Sequence, residues 1–113
     1  MKFLPKNPPR KFCVGDQKQI ELSDCGTVEL SPDELITLTT PSGREYDVAR
    51  KDWGFYATPS VNGRLAKQGF KTALVRNAHG MHYVMIVEPE KMEEFQKYIL
   101  QENSIVEEWL DER

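Results

Sequence analysis

Residues Asp52 to Leu65 bring the rings of Trp53, Phe55 and Tyr56, the hydroxyls of Thr58 and Ser60, the Asn62 amide and the Arg64 guanidinium into one short stretch. Aromatic faces take sugars, bases or apolar groups, while guanidinium, amide and hydroxyl donors hold a phosphate or carboxylate through directed hydrogen bonds. The chemistry predicted is recognition of an anionic ligand, with Tyr56, Thr58, Ser60, Asn62, Arg64 and Lys71 as the binding residues. Lys71 joins them because Arg50, Lys51, Arg64, Lys67, Lys71 and Arg76 outnumber the acid Asp52 over this part of the chain. Cations gathered on one face attract an anion.

The same residues also have plain structural uses. Ser and Asn satisfy the backbone of their own turns, Arg64 can pair with an acid of the C-terminal helix, and the other cations can pair with the acidic C-terminal region. Trp53 and Phe55 project from one side of an ideal strand and Tyr56 from the other. The first two are therefore assigned to the core and Tyr56 to the site.

Catalytic and metal chemistry find little support. His79 and His82 are the only imidazoles and have no third His, Asp or Glu nearby in sequence, so they are expected to be solvent-exposed rather than ligands. No GxSxG is present, and Gly63 and Gly69 around Lys67 fall short of a phosphate-cradling P-loop. Cys13 and Cys25 lie in no CxxC pair and are expected as two free, partly buried thiols. Glu88, Glu90, Glu93 and Glu94 cluster where a helix begins and are expected to be solvated charges that complement its dipole. Glu107, Glu108, Asp111 and Glu112 are expected on the surface. No cofactor and no metal are expected.

With 113 residues the chain predicts a single domain, and its 39% hydrophobic share supports a modest core. No run approaches the roughly 20 apolar residues of a membrane span, and the N-terminus lacks the apolar region of a signal peptide. A cytoplasmic protein without a membrane partner is expected. The net charge of −3 hides a division, because Lys2, Lys6, Arg10 and Lys11 face no acid at one end while acids dominate from Glu88 onward.

The elements that must position these residues follow from pattern. Residues 1–11, with Pro5, Pro8 and Pro9 among cations, predict a flexible basic arm, and 12–113 a single compact domain. Gln19 to Leu22 and Thr27 to Leu30 flank Ser23-Asp24-Cys25-Gly26 as a hairpin. Ser31-Pro32-Asp33-Glu34 reads as a capping box opening one helical turn. Glu34 to Thr40 and Glu45 to Ala49 form a second hairpin about Pro41-Ser42-Gly43, which Trp53 to Ala57 extends before a loop or short helix runs to Gly69. Phe70 to Val75 and Met81 to Val87 are the strongest strands. Pro89 opens a helix whose Met92, Phe95 and Ile99 share a face, Asn103 caps it, and Ile105 to Leu110 is a last strand. The fold class is α+β: a mostly antiparallel sheet, N-terminal hairpins forming a small curled sheet or SH3-like half-barrel, and a C-terminal β-β-α-β unit with one main helix.

The function expected is a small non-catalytic binding or accessory module. Its ligand is an anionic small molecule, such as a nucleotide or sugar phosphate, or an acidic segment of a protein partner, bound at the 53–71 loop. One alternative is RNA or single-stranded nucleic-acid binding through the basic arm and aromatic centre. Against it stand the pI of about 5.4 and the lack of an RRM, KH or zinc-finger signature. A further alternative is a small enzyme with a pocket around Tyr56 and Arg64 using one of the histidines. Free sheet edges and Trp109-Leu110 allow a homodimer.

Overall fold

The computed structural model describes residues Met1–Arg113 as eight strands in three antiparallel sheets with one main helix, an α+β architecture. Strands β1 (Lys2–Val14) and β2 (Ile20–Glu29) form a two-stranded ribbon. Strands β3 (Leu35–Thr39), β4 (Glu45–Lys51) and β5 (Gly54–Ala57) form a meander in that order. A short helix α1 (Arg64–Lys67) leads into β6 (Lys71–Arg76) and β7 (His82–Val87). A 3-10 turn at Pro89–Lys91 continues into helix α2 (Met92–Gln101), and β8 (Ile105–Trp109) returns to pair with β6, giving the order β7-β6-β8. No helix is long and apolar enough to cross a membrane.

The C-terminal β-β-α-β unit follows its hydrophobic pattern. Ala73, Val75 and Ile99 form the buried centre, with Met85, Phe95, Val106 and Trp109 packed around it. Phe95 and Ile99, four apart, lie on the same face of α2, as their helical spacing predicts. Asn103 takes the left-handed conformation (φ 53°) that ends the helix. Leu65 of α1 is fully buried.

The N-terminal part departs from expectation in three places. First, Lys2 to Lys11 is not an arm outside the sheets but most of β1. Its prolines are tolerated because β1 has a free outer edge and its pairing is interrupted between Pro5 and Arg10. Second, Ser23-Asp24-Cys25-Gly26 does not turn the chain, and β2 runs straight through it. The turn-forming carboxylate of Asp24 is engaged across the ribbon, accepting from Lys6 Nζ at 2.6 Å and Arg10 Nε at 3.3 Å as well as from the Gly26 amide. Gly26 (φ 153°) brings β2 so close to β1 that a Cβ there would lie 2.6 Å from the Leu4 carbonyl oxygen. Third, Ser31 to Glu34 makes part of the capping box, with the Glu34 carboxylate accepting from the Ser31 amide at 2.7 Å, but no helical turn follows. The Asp33 amide donates to Arg50 O and the Arg50 amide to Glu34 O, so the segment is drawn into pairing with β4 instead. The cysteines are free but exposed rather than partly buried, because the ribbon that carries them has nothing packed over it at those positions.

Two polar ties use acids expected to be merely solvated, the first between the meander and the C-terminal sheet and the second within the C-terminal unit. Glu88, at the end of β7, accepts from Thr40 Oγ1 at 2.7 Å, from Ser42 Oγ, and from Arg44 Nη1 at 3.2 Å. Arg44 also binds Glu90 with both terminal nitrogens and donates through Nε to the Gln68 carbonyl at 2.9 Å. Asp111 is the second tie: it accepts from the Thr72 amide and from Lys71 Nζ, both at 2.9 Å, and its side chain is only 9% accessible. Lys71 in turn lies over the Trp109 ring, 4.9 Å from its centroid.

Two substitutions test the packing. Leu65→Ala should lower the unfolding free energy in urea by about 2–5 kcal/mol through the cavity it leaves. Thr72 is fully buried and its hydroxyl has no hydrogen-bond partner, so Thr72→Val should raise the unfolding free energy by about 1 kcal/mol.

Candidate functional site

The β4–β5 hairpin turns at Asp52-Trp53, and Gly54 (φ 143°) takes the backbone conformation that returns the chain. In the resulting register Tyr56 lies opposite Ala49, and Ala49 lies opposite Leu35 on its other side. One row along the same face, Thr37 pairs with Asp47, and the Thr58 amide donates to the Asp47 carbonyl at 3.0 Å. Since residues two apart share a face, Leu35, Tyr56 and Ala49 form one row and Thr37, Asp47 and Thr58 the next. Arg64 reaches onto this face from α1, donating through Nη1 to Asp47 Oδ2 at 3.0 Å and through Nη2 to Thr58 Oγ1 at 3.1 Å.

Asp47 anchors the group. Its carboxylate accepts from Thr37 Oγ1 at 2.7 Å and from Arg64, and these bonds, the Thr37 hydroxyl first, hold its pKa below the ordinary carboxylate value despite burial. Over the tip of the hairpin the Trp53 and Tyr56 rings lie 5.9 Å apart between centroids and are tilted by 31°. Trp53 and Phe55 are not core residues: they are 72% and 64% exposed. Trp53 sits in the hairpin turn and Phe55 on β5, the edge strand of its sheet. Phe55 faces away from Tyr56, beside Arg50, and with Trp53, Leu4, Val28 and Leu30 lines an open groove of about 750 Å³.

Of the six residues predicted for binding, Tyr56, Thr58 and Arg64 come together on one face. Ser60, Asn62 and Lys71 do not join them. Ser60 Oγ accepts from the Arg64 amide and so supports the start of α1, and Asn62 Nδ2 donates to the Arg113 carbonyl. Lys71 is held by Asp111 and Glu112 beside a different sheet. Arg64 pairs with Asp47 of β4 rather than with an acid of the C-terminal helix.

Asp47 is the residue that sequence reasoning missed. The available signal was a lone carboxylate between Tyr46 and Val48 in a β-patterned segment, which places a charge on the face opposite two apolar residues. The histidines belong elsewhere. His82 Nε2 bonds Glu107, and His79 Nε2 lies 3.6 Å from Asp16, so neither contacts the Tyr56, Thr58 and Arg64 group. No group of three or more His, Cys, Asp or Glu side chains is placed to hold a metal ion.

The fold and this face together define a small α+β protein with an aromatic and guanidinium surface. No protein-family model, curated protein or solved structure matches the chain.

The Asp47 bonds carry a pH dependence of known sign. Because the folded-state pKa is lowered, the stability they contribute is complete above the ordinary value of 3.8 and is lost as the pH falls through the lower folded value. Asp47→Asn should therefore be less stable than the parent at neutral pH, and the difference should shrink on acidification through that window. Thermal unfolding of both proteins across the acid range checks this.

Proposed function

We propose that this chain is a non-catalytic binding module that takes an acidic segment of a protein partner on the face bearing Trp53, Tyr56, Thr58 and Arg64. The observation that carries the reading is an exposed aromatic pair set beside a guanidinium with unused donors. Trp53 and Tyr56 are 72% and 46% exposed. The two Arg64 bonds, to Asp47 and Thr58, leave other N–H groups of its fork to meet a carboxylate.

The openness of the face favours a protein segment over a metabolite. Small-molecule sites are concave and bury most of the ligand, whereas Tyr56, Thr58 and Arg64 line none of the three main cavities and Trp53 lines only the open groove that it shares with Phe55. Trp, Tyr and Arg are the residues that protein interfaces concentrate at their energetic centres. Arg50, on the opposite face of the same hairpin, bonds the Leu30 carbonyl and has no carboxylate partner, so its charge is unanswered beside the hairpin.

Amide NMR spectra of the full chain provide the test, using a degenerate peptide pool rich in Asp, Glu, Leu and Phe, with nucleotides, sugar phosphates and a short single-stranded RNA as parallel additions. The acidic pool should shift residues 53–64, and Tyr56→Ala or Trp53→Ala should weaken the selected peptide by about tenfold or more. Shifts of this face by the nucleotides, sugar phosphates or RNA alone would replace the acidic segment with that ligand class. Silence towards every pool would remove the reading.

A further inference from the structure

A concave site lined by none of the residues of this face lies where the turn of the ribbon meets the C-terminal sheet. The β1–β2 turn (Gly15 to Lys18), the β6–β7 turn (Asn77 to Gly80) and the C-terminal end of α2 enclose a cavity of about 570 Å³. Val14 and Met85 supply apolar lining, and Tyr83 and Tyr98 contribute rings that are partly exposed. Asp16, Lys18, His79 and Glu102 are the charged and titratable side chains of its lining, apart from the tyrosine hydroxyls.

The two carboxylates are fixed without neutralising cations. Glu102 Oε1 accepts from the Asp16 amide at 2.6 Å, and Asp16 Oδ2 accepts from Asn103 Nδ2 at 2.8 Å. Gly15 (φ 98°) makes this approach feasible, since a Cβ there would lie 2.6 Å from Glu102 Oε1. Neither acid pairs with a lysine or arginine, in contrast to Asp24, Asp47, Glu88 and Asp111. Asp16 has only the neighbouring His79 ring, at 3.6 Å. The tyrosine hydroxyls make no hydrogen bond that would commit their rings to the rest of the protein. The lining thus sets two carboxylates against the single lysine Lys18.

We infer that this cleft binds an organic ammonium ion, with Tyr83 and Tyr98 facing the alkylated cation and Asp16 and Glu102 supplying its countercharge. Electron-rich ring faces attract such ions and tolerate their apolar substituents. A metal ion is a poor match, because the lining offers no cluster of metal-binding side chains and its walls are largely apolar. A small anion would meet two carboxylates. Lys18 on the same lining suits a ligand that carries an acid group a short distance from its ammonium.

Titration of the full chain with tetramethylammonium chloride, glycine betaine and sodium acetate at constant ionic strength, followed by amide NMR, tests the inference. Tetramethylammonium and betaine should give saturable shifts at residues 14–18, 77–85 and 98–104, and acetate none. Tyr83→Leu and Tyr98→Leu, which keep the apolar bulk, should each weaken tetramethylammonium by about 2- to 30-fold. Far-ultraviolet circular dichroism confirms that these variants fold, and if one does not, the other decides. No saturable response, a response shared by acetate, shifts confined to the Trp53 and Tyr56 face, or unchanged affinity in a folded leucine variant would each overturn it.

Discussion

The guanidinium of Arg44 joins parts of this protein that apolar contact alone joins weakly. It is bound by Glu88 and Glu90 at the start of the helical segment and by the Gln68 carbonyl just before β6, while its own backbone sits in the β3–β4 turn. The Glu45 amide adds a bond to the Gln68 side chain, and a Cβ on Gly69 would lie 2.9 Å from Arg44 Nε. The meander, the link to β6 and the approach to α2 are thereby fixed to one another. Only 11 of 113 residues are buried, so the relative placement of the sheets rests heavily on such directed bonds. These have narrow angular preferences, and a partly buried one is costly to leave unmade.

The distribution of charge follows the same rule. Cations that look like a free basic patch in sequence are largely answered one by one: Lys6 and Arg10 by Asp24, Lys51 by Asp33, Arg64 by Asp47, Lys71 by Asp111. A paired cation still recognises ligands, but through the donors its partner leaves free and the orientation that partner imposes. Arg64 is therefore directed by Asp47 and Thr58 instead of sampling solvent. Asp16 at the ribbon turn and Glu102 at the end of α2 are among the carboxylates that no lysine or arginine answers, and they are held by an amide side chain and a backbone amide instead.

Sequence pattern was most informative where local preference and tertiary packing agree. The run from Phe70 to Val87, the Phe95 and Ile99 spacing and the left-handed Asn103 all report on a sheet covered by one helix, and each is decided within a few residues. The ribbon was not legible in this way. Asp24 and Gly26 are turn residues by type, but Asp24 is claimed by Lys6 and Arg10 from another strand, a pairing that no local window contains. Trp53 and Phe55 were misplaced for a related reason: alternation gives the side of a strand but not whether anything covers that side. Chemistry alone singles out Tyr56, Thr58 and Arg64, which the structure brings onto one face, whereas the Asp47 that holds Arg64 there required knowing that β4 is the central strand of its sheet.

The ribbon has a bearing on behaviour at high concentration. A two-stranded element of 13 and 10 residues with exposed Phe3, Leu4, Leu22 and Val28 offers backbone edges on which other chains could polymerise. Pro5, Pro8 and Pro9 deprive β1 of three amide donors, and the gap in register between Pro5 and Arg10 interrupts its straight course. Lysine and arginine side chains add mutual repulsion between copies along the same strand. The feature that makes β1 a poor strand by propensity thus acts as a guard against cross-β growth, allowing apolar side chains to stay on display without the edge beside them becoming sticky.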